Sequence, residues 1–274
     1  MVRVQQTVLP IGGQAMGQVG NQLPWREPLK SQTMSTCPTP EQVMKDVTTD
    51  MIRRAIKKSR KRGRRVYISK AAKGKVIDVD TLNPDTAEGA KNLEVFLTPT
   101  GRHYTFSGLG AAEDPDAINW RMINLPVWRR ILVLILVAIT FVMKGTPLKN
   151  RVYRLMGAHI GKNVEIMQLA WLDHFRPELI FIGEGTLIGA YTRITLHAYE
   201  GSGKFRYGLV ELGRNCTIGA GTGIGPILIE DGVRTLPGTT LSPYFARIRA
   251  GAVVGYNPPP IRLPEPSGEA SLGV

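Results

Sequence analysis

Cysteine is scarce in this 274-residue chain: only Cys37 and Cys216 occur, and neither stands in a metal-ligand or redox spacing. That excludes a disulfide framework and fits a reducing, cytoplasmic setting. Negative charge is short as well. Against 35 Lys and Arg there are 22 Asp and Glu, a formal net charge of +13. Such an excess calls for an anionic partner: phospholipid headgroups, nucleic acid or a phosphate-bearing small molecule. The N-terminal stretch lacks the continuous apolar core of a secretory signal. No uncharged apolar run reaches the roughly 20 residues of a spanning helix. Core material is not lacking, since 43% of the residues are hydrophobic, and wholesale disorder is excluded.

Residues 1–38 are rich in Gln, Gly, Pro and Ser without periodicity, and read as a flexible tail. A helix start follows, with Thr39 as cap, Pro40 at the first helical position and Gln42 at capping-box spacing. Val43, Met44, Val47, Met51, Ile52 and Ile56 recur at helical intervals and give one apolar face. The helix runs into RRAIKKSRKRGRR (53–65), nine basic residues with no acid. This run is either a solvated helix end or a surface for anions. It lacks the interleaved aromatics of a nucleic-acid module. Membrane or phosphate contact is therefore the favoured reading, and nucleic acid is not the expected partner.

From Val66 the pattern turns to period two. VYISKAAKGKVIDVD predicts a hairpin turning near Lys73-Gly74. LEVFLTPTGRHYTFSGL predicts a second, turning near Pro99–Gly101, with His103 on the surface beside it. Residues 39–118 thus form a basic helix plus a β-hairpin module. Residues 119–147 hold an apolar helix in which Ile131 to Met143 carry no charge, flanked by Arg129, Arg130 and Lys144. Too short to span easily, it reads as an interfacial helix with Trp128 at headgroup depth, or else as a helix packed against protein.

A six-residue beat begins after residue 150. Ile160 and Ile166 are six apart; so are Ile182, Ile188 and Ile194, then Leu212, Ile218 and Ile224, with glycine often next. Thr235 and Leu241, then Ile248 and Val254, carry the beat to the end of the repeats. This period belongs to hexapeptide β-helices, in which three hexapeptides make a triangular coil and stacked aliphatic residues form the core. Residues 167–181 and 197–209 interrupt the beat, and the second interruption looks like a loop thrown out of one coil. The expected fold class is mainly β, a left-handed parallel β-helix preceded by a small α+β module and an apolar helix. The helix domain spans 148–260, and 261–274 form a C-terminal tail.

Residues from about 148 to 260 resemble the hexapeptide-repeat transferase superfamily, the left-handed β-helix acyltransferases. LKNRVYRLMGAHIGKNVEI is similar to the entry of the repeat domain in sugar and antibiotic O-acetyltransferases, and to the repeat domain fused to some membrane-bound peptide synthetases. ELIFIGEGTLIGAYTRITLHAY, a loop, VELGRNCTIGAGTGI and IEDGVRTLPGTTL follow in the same order as theirs. In that family a histidine at the end of a coil, before an extruded loop, is the general base; the matching residue is His197. The resemblance implies acyl transfer, acetyl in the simplest case, from a CoA thioester to a hydroxyl or amine. It also implies trimers with active sites between subunits.

Imidazole suits such a base at neutral pH. Glu200 or Asp173 is the candidate to hold its second nitrogen, and Gly-rich coil backbone can donate to the oxyanion. Family geometry suggests Lys204, Arg206, Arg247, Arg249 and Arg262 for the CoA phosphates, and Gly219, Ala220 and Gly238 for pantetheine. The resemblance extends to γ-type carbonic anhydrases, but His159, His174 and His197 lack the zinc-ligand pair separated by four residues, so no metal is expected. His159 reads as structural; His174 is a candidate for the same cleft. Thr235-Leu236 departs from the expected aliphatic-Gly pair, and SPYFARIRAG breaks the last coil.

The first reading is a cytoplasmic, peripherally or partly membrane-associated acyl-CoA-dependent transferase. It would be a homotrimer, meeting an anionic membrane surface or membrane-protein complex through 53–65 and 127–144. The alternative is a non-catalytic hexapeptide-repeat trimer serving as a structural subunit of a membrane-associated complex.

Overall fold

A computed structural model describes residues 38–63, 65–70, 75–98, 101–108, 127–199, 204–241 and 247–255. The two tails, Glu200, Arg262 and the predicted turn at Lys73-Gly74 lie outside them.

Helix α1 (Pro40–Arg62) starts as its sequence directs. Thr39 caps it, accepting the Gln42 backbone N–H at 3.2 Å. It ends at Gly63, whose φ of 63° is left-handed and suits the C-cap. The predicted apolar face is buried throughout, from Val43 to Ile56. Strand β1 (Val66–Lys70) pairs antiparallel with β2 (Ile77–Asp78), so the first hairpin forms.

The second predicted hairpin does not. LEVFL is the end of helix α2 (Ala87–Leu97), and only β3 (His103–Gly108) is a strand. Thr86 caps α2 by accepting the Gly89 N–H at 3.1 Å. Leu93, Phe96 and Leu97 are the buried set, at spacings of three and four. The alternation seen in five residues was too short to outweigh that cap and that face.

Helix α3 (Val127–Val142) buries Val133, Val137 and Thr140 on one narrow stripe. Trp128, Ile131, Leu132, Ile135 and Ile139 remain exposed. No helix among the described residues is long and apolar enough to cross a membrane. Helix α4 (Pro147–Met156), capped by Thr146, follows directly. Its Lys149 is fully buried and donates to the carbonyls of Met143 (3.1 Å) and Met167 (2.7 Å). Burial pushes that ammonium down to about 8. One side chain thus ties the end of α3 to the first coil.

The coil strands before the loop are β4 (His159–Ile160), β5 (Glu165–Ile166), β6 (Trp171–Leu172), β7 (Ile180–Ile182), β8 (Leu187–Ile188) and β9 (Arg193–Ile194). The loop itself is a hairpin of β10 (His197–Tyr199) and β11 (Lys204–Gly208). The coils resume with β12 (Val210–Leu212), β13 (Thr217–Ile218), β14 (Gly223–Ile224), β15 (Ile227–Ile229), β16 (Arg234–Thr235), β17 (Thr240–Leu241), β18 (Arg247–Ile248) and β19 (Val253–Val254). They stack into three parallel sheets ordered β18-β15-β12-β7-β4, β19-β16-β13-β8-β5 and β17-β14-β9-β6. This is the β-helix expected from the six-residue beat, and its register matches. Ile160, Ile182, Leu212, Ile229 and Ile248 align; so do Ile166, Ile188 and Ile218, and Leu172, Ile194, Ile224 and Leu241.

Thr235, the departure from the pattern, sits in the second of these stacks, in line with Ile218 and Val254. Its buried hydroxyl accepts the Gly219 N–H at 2.9 Å and lies 3.2 Å from the Thr222 hydroxyl, so the polar group is satisfied. A Cβ on Gly183 would stand 2.5 Å from the Gly213 backbone of the next coil, so close stacking there demands glycine.

A fourth sheet, β10-β11-β3-β1-β2, joins the coil hairpin to the strands of the N-terminal module. The extruded segment is therefore structural along both strands rather than loose.

Candidate active site

The coil turns from the third sheet back to the first after Ile194. Leu196 is the last buried residue, and the chain leaves the prism at His197, the first residue of β10. His197 therefore stands where the hairpin departs from the coil. Its ring is about one-quarter exposed.

Asp173 follows β6, one coil earlier, and is buried. Its Oδ2 lies 2.9 Å from His197 Nδ1 and accepts the Leu196 N–H at 2.8 Å; its Oδ1 accepts the Phe175 N–H at 2.8 Å. Burial is the largest influence on this carboxyl and opposes its ionisation. The hydrogen bond and charge of His197 together with the two backbone donors outweigh it, and hold Asp173 below the ordinary carboxylate range. An ionised Asp173 only accepts, so in the neutral ring Nδ1 carries the proton and Nε2 the lone pair. Two aromatic rings fix the plane of the imidazole. Phe175 meets it edge-on at 4.8 Å, and Phe205 of β11 lies nearly parallel at 5.8 Å.

His174 stands beside this group, edge-on to Trp171 at 5.6 Å and 4.3 Å from Phe175. Burial, reinforced by His197 and opposed by Asp173, lowers its pKa, and its Nδ1 is buried without a hydrogen bond. His159 stacks flat on Phe181 at 4.1 Å, the packing role expected of it. His103 is partly buried within β3 opposite Gly208 rather than exposed beside a turn.

The segment carrying Asp173 is held from below by α1. Buried Arg176 donates to Asp50 on that helix and, at 3.0 Å, to Glu178. Tyr207, directly opposite His197 in the hairpin, donates to the Thr48 hydroxyl of α1 at 2.9 Å. Sequence reading missed Asp50, Arg176, Phe175, Phe205 and Thr48. Their partners lie across coil, hairpin and helix, and no local spacing links them.

The other expected residues are spread out. Arg206 faces Ala198 in the hairpin register, and Lys204 is exposed at the start of β11. Gly219, Ala220 and Gly238 lie at the corner between the second and third sheets, where the Gly238 N–H donates to the Ala220 carbonyl at 2.8 Å. The fold does not bring that corner to His197 within one chain. Arg247 pairs with Glu230 at the far end of the first sheet, and Arg249 is exposed nearby. Glu200 lies outside the described residues. Among those residues no group of His, Cys, Asp and Glu is placed to hold a metal ion.

No family model matches the sequence. A protein of Bacillus subtilis (strain 168) named "Putative acetyltransferase YvoF" is 34% identical over 113 residues, 40% of this chain. The match spans 63% of that protein, less than two thirds of its length. A maltose O-acetyltransferase structure from Clostridium difficile 630 aligns with the chain at 20% identity and a TM-score of 0.37. That alignment covers 46% of this chain and 81% of the other. Within the β-helix the opened corner at His197 is the part not accounted for by coil stacking.

Proposed function

We propose that this chain transfers an acyl group, acetyl in the simplest case, from an acyl-CoA thioester to a hydroxyl or amine, with His197 as general base. The observation that carries this reading is the Asp173–His197 pair: a buried, ionised carboxylate fixing the tautomer of a solvent-reachable imidazole. Nε2 takes the proton from the acceptor as its oxygen or nitrogen attacks the thioester carbonyl carbon. The tetrahedral oxyanion is met by a backbone N–H. It collapses with cleavage of the C–S bond, and the imidazolium returns its proton to the departing CoA sulfur.

Lys204 and Arg206 lie in the hairpin that His197 opens and suit the CoA phosphates. Gly219, Ala220 and Gly238 serve pantetheine only if supplied by a neighbouring subunit, since they occupy another corner. This requirement supports a homotrimer with shared clefts. Placement at an anionic membrane surface is supported by the basic end of α1 and by the exposed apolar face of α3 with Trp128.

The test is thiol release from acetyl-CoA by the purified chain, offered pooled sugar and amine acceptors. His197→Ala is expected to fold as wild type, by circular dichroism, and to lose about 10²- to 10⁴-fold in rate. Equal rates for the two proteins would remove His197 from the chemistry. Absence of both acetyl-CoA binding and turnover in the wild type would leave the reading of a non-catalytic trimeric subunit.

A further inference from the structure

Away from the His197 corner, α1 and the segment after β2 enclose a groove of about 330 Å³. Arg53, Ile56, Lys57 and Arg60 line it from the helix, and Asn83 and Asp85 from the opposite wall. Positions 53, 57 and 60 fall on one helical face, so three cationic side chains point into one space. Arg53 is paired with Asp85 at 3.3 Å. Lys57 and Arg60 have no ion-pair partner among the described residues and are exposed. A buried Ile56 forms the floor between them. Coil stacking does not need this arrangement, and it gathers two uncompensated charges beside a third. A lone carboxylate at the rim neutralises only one of the three.

We propose that this groove is a phosphate-binding site, with Lys57 and Arg60 as the principal ligands of a phosphomonoester or phosphodiester group and Arg53 as a third, released from Asp85 when the anion enters. The chemistry is shared by a lipid headgroup and a free phosphorylated molecule. A point charge from Lys57 and forked donors from two arginines match tetrahedral oxyanions. The proposal does not depend on acyl transfer, and its test reads binding rather than turnover.

The full chain is titrated with inorganic phosphate by calorimetry. In parallel it is mixed with vesicles of phosphatidylcholine alone or with added phosphatidylglycerol or phosphatidic acid, and sedimented. The double variant Lys57→Gln/Arg60→Gln removes two charges, each worth about fivefold at an anionic phosphate surface, so affinity should fall about twenty-fivefold. Lys75→Gln/Lys162→Gln removes the same charge from exposed residues outside both the groove and the basic run and should change affinity less than about twofold. Asp85→Asn should tighten binding severalfold by freeing Arg53, an effect that a scaffold role for the groove would not produce. Binding to phosphate itself identifies a free ligand, and binding only to anionic vesicles identifies a headgroup; either supports the site. Equal losses in the two double variants would overturn it, as would no binding of wild type to any probe. Tighter, groove-dependent binding of a single-stranded RNA would overturn it in favour of nucleic acid.

Discussion

The two corners of the coil built from β8 and β9 show what this fold does when it closes and when it opens. Between β8 and β9 the chain turns in four residues, 189 to 192. Gly189 packs against the Ala220 backbone, Tyr191 is left-handed at φ 60°, and Thr192 is buried. The Gly189 N–H donates to Ile218 of the next coil and the Thr192 N–H to Gly189, while the Ala190 carbonyl accepts from Gly221 of the next coil. After β9 the chain instead runs out through His197, makes a hairpin and returns at Val210. The closed corner serves only stacking. The open corner needs support from elsewhere, and receives it from Asp173 of the previous coil, from β3 and from α1. Here the side chain that leaves the prism does so where the chain departs from its own repeat, and other elements hold it in place.

Substitutions at each corner sharpen this contrast. The largest effect is expected on stacking: Gly183→Val places a side chain where Cβ alone meets backbone at 2.5 Å. It should cost about 3 kcal/mol, read from denaturant unfolding. At the open corner, Asp173→Asn removes the charged acceptor of three hydrogen bonds and should cost about 2 kcal/mol at neutral pH. Its pH dependence is the sharper check. The carboxyl is held below its ordinary value in the fold, so its stabilisation is present above the unfolded pKa. That stabilisation is lost as pH falls through the lower folded value. Acid titration of unfolding should show this loss in wild type below about pH 4 and not in the variant.

Arg176→Met cuts the tie between α1 and the segment carrying Asp173. Asp50 stays partly open to water, so a loss of about 1–2 kcal/mol is expected rather than the full value for a buried pair. If the open corner depends on α1, acyl transfer should fall with it. Unchanged activity would show that the hairpin is sufficient. The smallest effect runs the other way. Tyr191→Gly relieves a left-handed tyrosine that is 62% exposed and should raise stability by about 1 kcal/mol, with activity untouched.

The aliphatic beat was legible down to the register of each stack, because identical environments repeated every six residues leave the same mark on the sequence each time. The start of α1 was legible from Thr39, Pro40 and Gln42 for a different reason: capping is a local transaction. LEVFL was misread because five residues satisfy both periods, and only the packing of Leu93, Phe96 and Leu97 against their neighbours chose the helix. Thr235 looked like a defect, and its hydroxyl proved to be accommodated by a donor sixteen residues away.

The order of the residues was enough to determine a stacked prism, the place where it opens, and the histidine at that opening, since each follows from short-range periodicity and its interruption. Which carboxylate faces that histidine was left open between a neighbour in the loop and a residue of the previous coil. The choice of Asp173, the aromatic rings around the imidazole and the anchorage on α1 were decided only in three dimensions. Except for Phe205 across the hairpin, they arise from contacts between residues 22 to more than 100 positions apart, and such contacts impose no period that a linear reading can detect.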